Sequence, residues 1–124
     1  MSVAAWAALL GAGSAGAASR FLLDRSLQRR HRSSFPWGTF AVNVSGSFAL
    51  GLVTGASLYR GLGDDARTIL GTGFCGAFTT FSTWTVDCVR LVEAGLFAVA
   101  ARNLGASLAA GLLAAGAGLA LMAR

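Results

Sequence analysis

The residues best suited to chemistry in this chain are hydroxyls and amides set among aromatic rings. Phe78, Phe81 and Trp84 recur every third residue, with Phe74 a turn earlier, and Thr79, Thr80, Ser82 and Thr83 fill the gaps. Asn43 stands midway along an apolar run, with Thr39 one turn before it and Ser47 one turn after. That spacing places all three on one helix face. Asn103, Ser107, Gly111 and Ala115 mark out a second stripe of the same kind. Covalent and acid–base chemistry find no support: the one histidine, His31, has no acid beside it, and there is no phosphate loop or metal-ligand cluster. What such a set can do is replace water around an ion. Ring edges carry the positive part of the aromatic quadrupole, and hydroxyl and amide donors stand in for a lost hydration shell. An uncharged lining of this type attracts an anion weakly enough to release it again. The bland alternative, aromatic packing and interhelical hydrogen bonds worth ~0.6 kcal/mol each, is compatible with the same spacing.

These residues are carried by a chain built for hydrocarbon. It has 124 residues, 55% of them hydrophobic and 12% charged, and a mean hydropathy of +0.64, too apolar for an ordinary soluble domain. Charge is absent from 1–19, 33–59, 68–86 and 103–123, each run near the ~20 residues that cross a bilayer core. Four membrane helices are expected, at about 3–23, 38–59, 67–90 and 95–122, making residues 1–124 a single transmembrane domain. No basic residue precedes the first run, so it reads as a span and not as a signal peptide.

The net charge is +5 and every basic residue is arginine. The arginines sit at the ends of apolar runs and form no stripe, which fits headgroup-level residues and not nucleic-acid binding. Arg20, closing the first run, either holds an anion at a pore mouth or snorkels. Residues 24–37 read as the one long, basic loop. Cys75 and Cys88 give neither a disulfide framework nor a metal spacing.

The third run is the odd one. Gly71, Gly73 and Gly76 loosen its first half, since each glycine costs a helix interior up to ~1 kcal/mol relative to alanine. A loosened backbone survives in hydrocarbon only where protein or a water-filled cavity covers it. The stretch is therefore expected to be a loosened helix that lines a pathway.

Two blocks carry a family resemblance. Residues 38–48, GTFAVNVSGSF, resemble the GT-x-x-x-N-x-x-G-S-F block of the Fluc (CrcB-type) fluoride channels, and residues 71–83, GTGFCGAFTTFST, resemble that family's glycine-rich T-T-F-S-T block. The first-run glycines followed by Arg20 look like its first helix. The resemblance implies an all-α integral membrane protein, an antiparallel (dual-topology) dimer of four-helix subunits in the cell membrane. Such a dimer passively exports fluoride through two pores and relieves its toxicity. It implies Phe81 and Trp84 as the pore rings, with tryptophan where phenylalanine is frequent, and Asn43 as the amide beside them. Ser82, Thr83, Thr39, Ser107 and Asn103 would line the anion path, with Asn103 where tyrosine is expected. Arg20 would sit in the vestibule, and the third helix would be broken near Gly76–Thr79, where Gly76 and Thr79 would offer backbone carbonyls to a structural sodium ion at the dimer centre. Asp87 stands where glutamate is usual. A homodimer is preferred to pairing with an oppositely oriented paralogue, although the arginine count favours one orientation. A proton-coupled exporter of small-multidrug-exporter size is the alternative, and it lacks the mid-span acid it needs. A non-conducting assembly partner is a third reading.

Overall fold

A computed structural model describes residues Met1–Arg124. The chain is all helical: α1 (Val3–Arg30), α2 (Trp37–Tyr59), α3 (Asp64–Arg67), a π-helical stretch (Thr68–Cys75), α4 (Gly76–Phe78), α5 (Phe81–Glu93) and α6 (Phe97–Met122). Ser2 starts α1 by accepting the Ala5 N–H at 3.1 Å, the usual work of an N-cap hydroxyl. Two connections turn on glycines in left-handed conformations, Gly61 at φ 73° and Gly95 at φ 76°, which a side chain would resist.

Only 20 of the 124 residues are buried, too few for a core that could hold a soluble chain together. Leu10, Phe21, Leu22, Leu112 and Leu113 are among the large apolar side chains left outside. By length and hydropathy, α2 and α6 are each able to cross a membrane. They pack on one another through missing side chains. A Cβ at Gly51 would fall on the Ala115 carbonyl, and one at Gly118 on the Phe48 carbonyl. Backbone-to-backbone approach of this kind is how helices associate where lipid removes the hydrophobic drive. Gly16 of α1 lies against the Phe74 carbonyl of the π stretch in the same way.

The elements differ from the expected boundaries in instructive places. The first helix runs to Arg30 and not to 23, so the long loop shrinks to residues 31–36. Arginine is a good helix former and its charge need not end a helix that leaves the bilayer. The connection between the expected second and third helices already becomes helical at Asp64. The helix expected over 67–90 is three pieces preceded by α3, and the expected fourth helix begins at Phe97 instead of 95.

The break falls at Thr79–Thr80. Gly76 itself is helical (φ −63°, ψ −38°), while Thr79 (ψ 159°) and Thr80 (φ −147°, ψ 120°) are extended. The glycines do not form the kink; they precede it. Gly71 and Gly73 lie in the π stretch, whose wider turn moves the following residues around the axis. Thr79 closes α4 by sending both its N–H and its Oγ1 to the Cys75 carbonyl, each at 2.9 Å. Thr80 opens α5, its Oγ1 accepting the Thr83 N–H at 3.2 Å. Two threonines thus perform a helix stop and a helix start back to back.

Candidate functional site

A break in a helix strands backbone groups that lipid cannot satisfy. Here one side chain from another helix meets them. Asn43 of α2 donates from Nδ2 to the Thr80 carbonyl at 2.8 Å, and its Oδ1 accepts the Thr80 N–H at 2.7 Å. This two-bond pairing mimics a strand neighbour. It also redirects the N–H that a continuing helix would have sent to the Gly76 carbonyl. Of the four hydrogen bonds an asparagine amide can make, two are committed; one Nδ2 hydrogen and one Oδ1 lone pair stay available.

The break separates two cavities that share Thr80 as a wall. On one side lies an open groove of about 350 Å³, lined by Asn43, Ser47, Thr79, Thr80, Phe81, Trp84 and Ser107 together with the Leu108–Ala115 face of α6. On the other is a smaller space of about 200 Å³, bounded by Arg20, Asp24, Thr39, Thr80 and Thr83 with Phe21 and Val42. The smaller space carries a guanidinium at its mouth; the larger groove has aromatic rings on its rim and aliphatic side chains of α6 along its wall.

The rings are placed by α5. Phe81 and Trp84 meet edge-on, with centroids 5.4 Å apart and planes at 65°. Phe81 is 75% exposed and Trp84 only 8%, although both line the groove. Trp84 Nε1–H donates to the Asn103 carbonyl at 3.2 Å. The indole N–H is therefore spent on fastening α5 to α6.

Asn103 is fully buried (0% exposed) and does not line either cavity. Its Nδ2 donates to Cys88 Sγ at 3.1 Å, and its Oδ1 accepts from Ser107 at 3.3 Å. It stands behind Trp84, so the polar stripe of α6 divides: Ser107 faces the groove and Asn103 the α5–α6 seam. Ser82 lies in neither cavity; its hydroxyl is 3.4 Å from that of Thr80. Thr39 sits at the mouth and donates to Asp87 Oδ2 at 2.9 Å, tying α2 to α5. Arg20 reaches inward to the Thr79 carbonyl, with a long 3.5 Å contact from Nη1.

Sequence reasoning missed Asp24, which it placed in a loop. The residue lies on α1 one turn past Arg20, lines the mouth, and has Oδ1 buried with no hydrogen-bond partner. Gly38 makes room for it: a Cβ there would overlap that oxygen. The i, i+4 spacing of Arg20 and Asp24 was the available signal, obscured by the boundary drawn at residue 23.

Comparison with known proteins places this geometry in a family. The family described as CrcB-like protein, Camphor Resistance (CrcB), matches residues 6–119. The chain belongs to the CrcB family. Among its CrcB relatives, a protein of Streptomyces avermitilis is 46% identical over 114 residues, covering 92% of either chain, and one of Symbiobacterium thermophilum is 47% identical over 118 residues, covering 94% of this chain and 95% of its own. Both are named fluoride-specific ion channel FluC 1. A fluoride-specific ion channel FluC 2 of Mycobacterium tuberculosis (strain ATCC 25618 / H37Rv) is 42% identical over 115 residues, covering 93% of this chain and 88% of its own. With such relatives and with helices suited to hydrocarbon, this CrcB chain is a membrane protein.

Proposed function

We propose that this protein is a fluoride channel of the cell membrane that lets fluoride leave the cell passively, and that it is not an enzyme. The observation that carries the reading is the Thr79–Thr80 break, clamped by Asn43 and rimmed by Phe81 and Trp84, between a guanidinium-bearing mouth and an open groove. The names of the relatives supply the ion. Ring edges and hydroxyls alone would accept either fluoride or chloride, and only size and dehydration favour the smaller. The path has no acid at its middle; Asp24 and Asp87 belong to the mouth. That speaks for passive flow over proton-coupled export.

In this reading α1 and the α3–α5 series cross the bilayer along with α2 and α6, giving four passes. The groove is open on one flank, and Phe81 is left bare; a second, antiparallel copy would close the groove and complete two pores. The Gly76 carbonyl, deprived of its helical donor, is free for a hard cation, which prefers oxygen ligands. A structural sodium ion at the dimer centre would bind such carbonyls and tie the two breaks together. The Thr79 carbonyl fits that role less well, because Arg20 already points at it.

Fluoride efflux from liposomes holding the purified protein tests the proposal. Flux above that of empty vesicles, greater for fluoride than for chloride, is expected; its absence refutes the channel. Phe81→Ile removes the ring edge without touching the Asn43 clamp and should nearly stop flux while the dimer survives. Repeating the measurement without sodium should slow flux or split the dimer.

A further inference from the structure

The last two turns of α1 hold Arg25, Arg29 and Arg30, with Arg32 directly beyond, and all four are exposed. The arginines that donate hydrogen bonds to protein groups are elsewhere: Arg20 to Thr79, and Arg60 to the Met122 and Arg124 carbonyls. Arg25 lies 5.7 Å from the Phe21 ring, one turn back towards the apolar part of the helix. Beside this basic end an aromatic cluster joins α1 to α2: His31 to Trp37 at 6.2 Å, Phe35 to Trp37 at 4.7 Å and Phe40 edge-on to Trp37 at 5.7 Å. Trp37 stays partly exposed, as amphipathic rings at a membrane–water boundary do.

Helix length sets the depth of this end. With 28 residues at ~1.5 Å each, α1 is about 42 Å long. The hydrocarbon core is ~30 Å thick, leaving roughly 12 Å of helix in the headgroup layer. That excess carries the guanidinium groups. The opposite end of the molecule offers no equal cluster: Arg60 is committed to backbone carbonyls, Arg67 shares the single turn of α3 with Asp64 and Asp65, and Arg124 is the one other arginine there.

We propose that the C-terminal end of α1, with Arg32 and the Trp37 cluster, is a recognition surface for the phosphates of anionic lipid headgroups. Each guanidinium offers a planar pair of N–H donors that matches two phosphate oxygens. The aromatic cluster holds the basic end at headgroup depth, so the contacts need little further ordering. The proposal rests on α1 crossing the bilayer and needs no conduction.

The test uses the full chain in vesicles containing spin-labelled phosphatidylglycerol or phosphatidylcholine, comparing the motionally restricted fraction of each. An arginine near an anionic surface is worth roughly a five-fold preference, so the wild type should favour phosphatidylglycerol several-fold. R25Q/R29Q/R30Q/R32Q should abolish most of that preference, and R29Q/R30Q should leave it between the two. R60Q/R67Q at the far end should leave it intact. Circular dichroism confirms that each variant keeps its helices. Equal association of the two lipids with the wild type, or an unchanged preference in the quadruple variant, overturns the proposal. Fluoride efflux is read from the same vesicles: lost flux with the lipid preference intact counts against the channel, and lost preference with flux intact counts against this surface.

Discussion

Asn43 holds the helix break together and, in the proposed channel, also stands on the anion path. Truncating it to alanine orphans the Thr80 N–H and carbonyl together, at a cost of roughly 2–4 kcal/mol if both stay unpaired. Asn43→Ala should therefore lower thermal stability as well as flux. Asn43→Asp is the sharper probe. It keeps an acceptor for the Thr80 N–H but turns an anionic oxygen on the Thr80 carbonyl and on the path. Flux should fall at least as far as in the alanine variant; full flux in Asn43→Asp would mean that the amide donor is dispensable. Trp84→Phe makes the opposite forecast. A ring edge remains, while the bond to the Asn103 carbonyl and part of a buried indole go, so efflux should persist while stability drops by about 1–3 kcal/mol. A Trp84→Phe protein that is fully stable and silent in efflux would return the indole N–H to the path.

At the scale of elements, glycine decides which helices touch. Gly16 is buried against the Phe74 carbonyl, whereas nothing lies within 4 Å of a Cβ at Gly11. The two belong to the same glycine-rich turns of α1, and their propensities are equal. Gly16→Ala should push α1 off the π stretch and destabilise the protein by about 1–3 kcal/mol. Gly11→Ala should be neutral or mildly stabilising, by up to ~1 kcal/mol. Chemical or thermal unfolding in detergent measures both, and equal effects would show that the α1–π contact is looser than drawn. The π stretch also has a positional consequence. It precedes the break and reorients it, so α4 ends with Thr79 Oγ1 on its own helix and the Thr80 backbone turned to α2.

The whole molecule presents an asymmetric charge pattern to the membrane. Arg25, Arg29, Arg30 and Arg32 gather at one end, with Asp24 and the Thr39–Asp87 pair nearby, while Arg60 closes the other end against the chain terminus. The excess of arginine at the α1–α2 end favours the cytoplasm for that end. An antiparallel homodimer needs chains inserted both ways, so the bias is the main tension in the proposed assembly. Tagging both termini and probing their exposure in cells gives the answer. Both orientations are expected if the homodimer is right; a single orientation in a chain expressed alone would falsify it and leave the paralogue pair. Arg25→Gln with Arg29→Gln should even out the two populations.

Much of this was legible in consecutive residues. The four uncharged runs and the weakness of the third helix are local facts, because backbone preference depends on neighbours a few residues apart; that Thr79 and Thr80, and not the glycines, make the break was not legible in them. The site was legible as a composition, Asn with hydroxyls and rings, and as a resemblance to a family. Only the tertiary structure decided which of those groups are spent. Asn43 meets Thr80 across 37 residues and Trp84 meets the Asn103 carbonyl across 19, and Asn103 itself turns to Cys88 and away from the groove. Such pairings depend on the rotation and depth of whole helices against one another, set by many small contacts at once, and no short stretch of chain encodes them.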